Sequence, residues 1–159
     1  AEMMGHPGFA GCAIRGAKRS GLPVWIGLSA RGHDDGSLVT FTNDLMPFND
    51  VVEPIVEEGA DVIGIMHTHP ELTLNALELL SAHWPGPFLA YPDVTPYRKS
   101  PDDDVNIDHL PDETEFVDHC VSWHNQGVRV LGGCCGISVS HITALNERFM
   151  PSPNLETTQ

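Results

Sequence analysis

Two adjacent thiols, Cys134 and Cys135, stand in the run Leu131-Gly132-Gly133-Cys134-Cys135-Gly136 of this 159-residue chain. Facing one point, they would serve as a pair of metal ligands. Neighbouring side chains of a regular strand point to opposite faces. Both sulfurs can therefore converge only where the backbone breaks, and Gly132, Gly133 and Gly136 allow such a break. The alternatives are two small buried hydrophobes or a strained vicinal disulfide.

Two further segments carry chemistry. In Gly64-Ile65-Met66-His67-Thr68-His69-Pro70 the two imidazoles share a face if the backbone is extended, a workable metal-ligand spacing. Solvated loop histidines are the competing reading. In Ala90-Tyr91-Pro92-Asp93 the carboxylate of Asp93 is the polar group nearest a strand end, unless it serves only a Pro-rich turn. Tyr91 lines a substrate cavity or packs as an ordinary aromatic. His141, six residues after Cys135, reads as a packing or capping group rather than a neighbour of the ligands. Cys120 reads as core, and Cys12 carries no reading. Asp34, Asp35 and the Asp102–Asp104 run read as solvated loop charge rather than a metal cage.

The elements that position these residues repeat one theme, a short apolar run followed by a loop and an amphipathic stretch. The apolar runs are Pro23 to Ser29, Asp61 to Met66, Pro87 to Tyr91 and Val128 to Gly132. The first is followed by a polar loop through Gly32, Asp34, Asp35 and Gly36. Helices are expected over Val51 to Glu58, with Asn49 or Asp50 as cap and Pro54 tolerated near the first turn, and around Glu71 to Ala82. A third opens at Asp112 with Glu115 completing a capping box, and Gly127 closes it. The last covers Val139 to Phe149 with Ser138 or Ser140 as cap. Glu2 to Lys18 reads as a helix remnant. Residues 1–150 form one domain and 151–159 a frayed tail. Near-continuous apolar strands imply a parallel sheet covered on both faces. A (β/α)8 barrel needs about 250 residues, so this α/β chain is expected to supply its last four β/α units. An open doubly wound sheet is the alternative, but no strand, Gly-rich turn and helix phosphate fingerprint occurs.

Composition removes several classes of function. There are 8 Lys and Arg against 22 Asp and Glu, a formal net charge of −14. Phosphate binding needs clustered basic residues, so DNA, RNA and anionic membrane surfaces are excluded as partners. No apolar run reaches the roughly 18 to 20 residues needed to span a bilayer. The four cysteines lack the spacing of a secreted disulfide scaffold, so a reduced, cytoplasmic location is expected. The chain opens at Ala1 in what reads as the middle of something. Truncation is one expectation, and one partner of a two-chain or homodimeric barrel is another.

Taken with their order, these segments resemble the homocysteine S-methyltransferase family. The resemblance rests on Gly132-Gly133-Cys134-Cys135-Gly136 followed by His141-Ile142, on Pro70-Glu71-Leu72-Thr73-Leu74-Asn75-Ala76-Leu77, and on the Tyr91-Pro92 turn. It runs from about Gly21 to Phe149, nearly the whole chain. It implies a barrel, Zn2+ as cofactor, homocysteine and a small methyl donor as substrates, and methionine as product. The family holds zinc with three cysteines, the last two of which match Cys134 and Cys135. The first stands in a Gly-x-Asn-Cys context, where this chain has Gly64-Ile65-Met66-His67. The implied set is therefore His67, Cys134 and Cys135, with His69 an open alternative to His67; Cys2His is an accepted catalytic zinc set. The family's Tyr-Pro-Asn turn is Tyr-Pro-Asp here. Three thiolates and a neutral Asn carry about the same formal charge, −3, as one His, two thiolates and an ionised Asp93. Asp93 is thus expected to be a displaceable ligand or a group bonded to a ligand, with no catalytic group separate from the metal site.

Two rival functions stay open at this point. A zinc metallohydrolase would use His67 and His69 in their His-x-His-Pro context. That reading asks for a Ser and an Asp where the chain has Leu77 and Leu80. A zinc-binding half-barrel or partner subunit without turnover is the other.

Overall fold

The computed structural model of the chain describes residues 1–95 and 111–150. Helix α1 (Pro7–Lys18) precedes strand β1 (Trp25–Leu28). A short arm, β2 (Ala30–Gly32) and β3 (Leu38–Thr40), leads to α2 (Phe48–Glu57). Then β4 (Val62–Met66), α3 (Pro70–Ser81), β5 (Phe88–Tyr91), α4 (Glu113–Asn125), β6 (Val128–Leu131) and α5 (Val139–Phe149) follow.

The four apolar runs form one parallel sheet in the order β1-β4-β5-β6. Spatial order follows chain order without reversal, which is the arrangement of consecutive barrel strands. A doubly wound sheet would reverse at a switch point. Successive helices pack on one another outside the strands, α1 on α2, α2 on α3, α3 on α4 and α4 on α5. The fold is therefore four β/α units of the barrel type. The core between the layers is filled by Ile26, Leu28, Ile63 and Ile65 from the strands, and by Val52, Ile55, Leu80, Phe116 and Trp123 from the helices. Gly64 is required in the middle of β4: a Cβ there would lie 1.9 Å from the carbonyl oxygen of Leu89 on β5.

Four local expectations are corrected. The polar loop after β1 is an antiparallel hairpin arm, Ala30 opposite Thr40 and Gly32 opposite Leu38, with the turn at 33–37. Helix α2 begins at Phe48, so Asn49 and Asp50 occupy its first turn and Pro47 takes the capping position. The cause is burial: Phe48, Val51, Val52 and Ile55 form one apolar stripe, and the stripe starts before Asn49 and Asp50. Pro54 consequently sits inside the helix, where it removes the N–H that would reach the Asp50 carbonyl. Finally, residues 1–4 are not helical. The Ala1 nitrogen donates to the Trp25 carbonyl, and Gly27 N–H donates to that of Ala1. Helix α1 starts only after His6, whose side chain accepts from the Gly8 N–H.

The capping expectations further along hold. Asp112 and Glu115 form the reciprocal box that opens α4, and Gly127 follows that helix with φ 103°. No helix among the described residues is long and apolar enough to cross a membrane. The Asp102–Asp104 run and the tail 151–159 lie outside the described residues.

Candidate metal centre

Strand β4 ends at Met66, and His67 turns into the left-handed region with φ 44°. For a residue other than Gly that conformation costs about 1–2 kcal/mol. The turn is held by the buried Thr68 hydroxyl, which accepts from the Ala30 N–H at 2.9 Å and donates to the Met66 carbonyl at 2.9 Å. The His67 N–H donates to the Tyr91 carbonyl at 3.2 Å. Because the backbone is not extended here, His67 and His69 do not share a face. His69 becomes the residue before Pro70 at the start of α3 and opens onto clefts with Glu71. His67 instead turns toward the end of β6.

There the Cys pair sits on a loop tied to the end of β5. The Cys134 N–H donates to the Pro92 carbonyl at 2.9 Å, and the Cys135 carbonyl accepts from the Val94 N–H at 3.0 Å. Gly136, with φ 78°, returns the chain to α5. Gly133 is needed for space, since a Cβ would fall 2.3 Å from the Ile137 side chain. Gly132 is not: its backbone is ordinary, and a Cβ would meet the Tyr91 side chain at 3.7 Å. The break in the backbone thus rests on Gly133 and Gly136. Both thiols are free, with sulfurs 3.8 Å apart, so the vicinal disulfide is absent.

Each sulfur lies 3.6 Å from His67 Nδ1. His67, Cys134 and Cys135 form a group whose donor atoms could hold one metal ion. The same Nδ1 stands 3.2 Å from Asp93 Oδ2. The other carboxylate oxygen of Asp93 accepts from the Thr95 N–H at 2.7 Å and from its hydroxyl. Asp93 is thereby fixed beside the imidazole, competing for the nitrogen that faces the thiols. Burial, followed by the neighbouring Cys135 and Asp93, pushes the Cys134 thiol upward, with a backbone bond at Cys135 opposing the rise.

Tyr91 closes β5 with its side chain reaching over Gly27 of β1. A Cβ at Gly27 would sit 2.6 Å from the Tyr91 hydroxyl oxygen. The phenol is pushed up to about 12, first by burial, then by the carboxylate of Glu2 and by Cys134. Tyr91 therefore spans the space between the Cys loop and the N-terminal segment.

His141 belongs to the helix cap. Its Nδ1 accepts from the Ser138 N–H at 3.2 Å, which leaves Nε2 as donor to the Pro111 carbonyl at 3.0 Å. Cys120 is fully buried, and burial pushes its thiol up to about 12. Asp35 bonds Ser37 and His33 in the turn of the hairpin arm, as solvated loop charge does. Leu77 and Leu80 are core residues, so the positions a His-x-His-Pro hydrolase needs are occupied by packing.

Three neighbours of the site carry no sequence signal strong enough to find them. Thr68 is hidden between two histidines. Phe41, just after β3, meets the His67 ring edge-on with centroids 5.0 Å apart. Arg31 on β2 lies over the Phe41 ring, its guanidinium carbon 5.8 Å from the centroid. Both reach the site through a hairpin whose strands are three residues each, too short to show alternation.

Residues 3–149 match the sequence profile of the family described as homocysteine S-methyltransferase. The chain is 28% identical over 166 aligned residues to betaine–homocysteine S-methyltransferase 1 of Bos taurus, covering 95% of this chain and 39% of that one. Its fold is similar to solved structures of the homocysteine methyltransferase MmuM from Escherichia coli. The apo form gives a TM-score of 0.65 at 20% identity, covering 92% of this chain and 47% of that one. The metallated form gives 0.61 at 21% identity, covering 87% and 40%. The chain thus spans less than half the length of these relatives. A profile match over nearly its whole length, on a fold that brings the Cys-Cys loop to a parallel-strand end, shows that the chain belongs to the homocysteine S-methyltransferase family.

Proposed function

We propose that this chain is the zinc- and thiol-binding half of a homocysteine S-methyltransferase barrel, with His67 Nδ1 and the sulfurs of Cys134 and Cys135 as the metal ligands. One observation carries the reading. A tetrahedral zinc with bonds of about 2.3 Å to sulfur and about 2.0–2.1 Å to nitrogen sets two sulfurs about 3.8 Å apart and each about 3.6 Å from the nitrogen. The donor triangle has edges of 3.8, 3.6 and 3.6 Å. The spacing supports a Cys2His set in which His67 replaces the cysteine of the family pattern.

When bound, the zinc ion supplies the Lewis acidity that keeps a coordinated thiol deprotonated. The chain's own residues set the conditions for that role. The left-handed turn at His67 aims Nδ1 at the thiols, and Thr68 holds the turn. Asp93 places a carboxylate beside the His67 imidazole, as a displaceable ligand or as a hydrogen-bond partner of the site. Tyr91, at the end of β5 beside Cys134, is placed to contact a substrate held at the sulfurs. The reaction served is methyl transfer to the sulfur of homocysteine: a sulfur–carbon bond forms, the bond between the methyl group and the donor breaks, and its electron pair leaves with the donor. The methyl donor is a second small molecule, and methionine biosynthesis is the process served.

Because the chain is less than half as long as its relatives, a second reading holds that it binds zinc and thiol without turnover unless a further half-barrel, or a second copy, completes it. Calorimetric titration of homocysteine into zinc-loaded protein separates the readings, run beside an assay for methionine with a methyl donor. Thiol binding that disappears in Cys135→Ser supports the site. Binding without methionine favours the partner-subunit reading. Absence of any homocysteine binding to folded, zinc-loaded protein rules out both.

A further inference from the structure

We propose that Arg31, laid over Phe41 at the rim of the metal centre, is a specificity residue that takes the carboxylate of one of the two small molecules reacting there; this rests on the methyltransferase reading above. Arg31 and Phe41 come from the hairpin arm between β1 and α2. Phe41 stands edge-on to His67 at 5.0 Å, and the guanidinium carbon lies 5.8 Å from the centre of the same ring. Phe41 is 39% exposed, so the ring is open to a ligand as well as to the two side chains. Among the described residues the guanidinium makes no hydrogen bond and no ion pair.

That arrangement is unusual in a chain this acidic. Arg31 is one of 8 basic residues against 22 acidic ones, and Asp34 and Glu71 line the same cleft of about 540 Å3. Neither forms an ion pair with it. Asp93 at the centre, and Asp34 and Glu71 in the adjoining cleft that reaches His69, repel an anionic substrate group, and a fixed cation at the rim offsets that repulsion. A guanidinium presents a planar fork that matches a carboxylate through two parallel hydrogen bonds. Reach is adequate. The two ring distances put the guanidinium carbon within about 11 Å of the imidazole, and carbon–carbon bonds of ~1.5 Å carry a four-carbon thiol acid plus its contact to Arg31 over most of that span. The carboxylate belongs either to the thiol acceptor or to a zwitterionic onium donor, whose cationic centre would rest on the Phe41 ring.

Two matched pairs of probes test this on zinc-loaded protein by calorimetry. The thiol pair is 4-mercaptobutyrate and 4-mercaptobutanol, and the onium pair is trimethylglycine and choline. Wild type should prefer the carboxylate member of one pair by about tenfold or more, the range of a charge-assisted hydrogen bond. Arg31→Met should abolish that preference while leaving the neutral thiol's affinity unchanged, and Arg31→Lys should keep part of it. Preference in the thiol pair assigns the anchor to the acceptor, and preference in the onium pair assigns it to the donor. Equal binding within both pairs in wild type, or a preference that survives in Arg31→Met, overturns the proposal. Binding of 4-mercaptobutanol separates the two levels: if it binds and no carboxylate preference exists, the methyltransferase reading stands and Arg31 has no such role. If neither thiol binds, both fall. Should Arg31→Met not fold, the wild-type preference and its partial retention in Arg31→Lys decide alone.

Discussion

Replacing Gly133 with Ala should weaken metal binding far more than the same change at Gly132, one residue earlier. A Cβ at Gly133 lands 2.3 Å from Ile137 Cγ2, 2.4 Å from its Cβ and 2.5 Å from its Cγ1. Carbon atoms in contact settle about 3.5–4.0 Å apart, so the Ile137 side chain must retreat by roughly 1 Å or more. Its Cβ is fixed to the backbone, and no rotamer relieves that contact. The Ile137 N–H donates to the Cys134 carbonyl, so movement of Ile137 is passed to the turn that carries both sulfurs. Overpacking of this kind costs about 1–3 kcal/mol. Without metal the turn can relax, whereas the loaded state needs all three donors in place. The strain therefore falls on loading, and at about 1.4 kcal/mol per decade the zinc affinity drops roughly 5- to 150-fold. Gly132→Ala meets only the Tyr91 Cβ at 3.7 Å and has no unusual φ, so it should leave affinity within about twofold of wild type. Competition against a chromophoric chelator measures both, with unfolding midpoints of the metal-free proteins as control. Equal losses in the two variants, or an unchanged affinity in Gly133→Ala, would refute the assignment of the break to Gly133.

Asp93→Asn should lower zinc affinity by about tenfold or more and alter its pH dependence, because it removes the charge beside the imidazole while keeping the shape; chelator competition across pH 6 to 8 checks it, and unchanged curves would remove Asp93 from the site. His141→Ala should cost about 1–2 kcal/mol in denaturant unfolding through loss of the α5 cap, with zinc content unaltered, whereas loss of zinc would make it part of the metal centre. Cys120 should resist alkylation at pH 8 in the folded chain and react only on unfolding, since burial disfavours its thiolate and lifts it to about 12. Labelling followed by peptide mass mapping reads this directly, and early labelling of Cys120 would mean the α4 face is open.

The four parallel strands were legible because their side chains form near-continuous apolar runs, most plainly in the wholly buried Val62-Ile63-Gly64-Ile65-Met66, and only Arg129 interrupts the last strand. A cap with a local chemical cause was equally plain in Asp112 with Glu115, while type alone left Ser138 and Ser140 both open at α5, and the structure places Ser138 there. What escaped was structure decided by contacts distant in sequence. Phe48 starts α2 because the core accepts it, before Asn49 and Asp50, which mark a cap by type alone. The turn at His67 depends on a hydroxyl of Thr68 bonded to Ala30, 38 residues away. Extended-strand geometry, the only local guide, puts His67 and His69 on one face, and the left-handed φ separates them. The convergence of His67 with the Cys pair came from family resemblance rather than spacing, as 67 residues separate the imidazole from the first thiol. Arg31 and Phe41 gave no signal at all, being ordinary residues until the hairpin folds back on the strand end.

The central claim is a Cys2His metal site, and zinc per folded chain tests it most directly. Elemental analysis should be made on wild type, Cys134→Ser and His67→Ala, with circular dichroism to confirm that each is folded. One zinc per wild-type chain, lost in both variants, is the result expected from the donor triangle. A folded wild-type chain without zinc, or a full complement of zinc in folded His67→Ala, would contradict it.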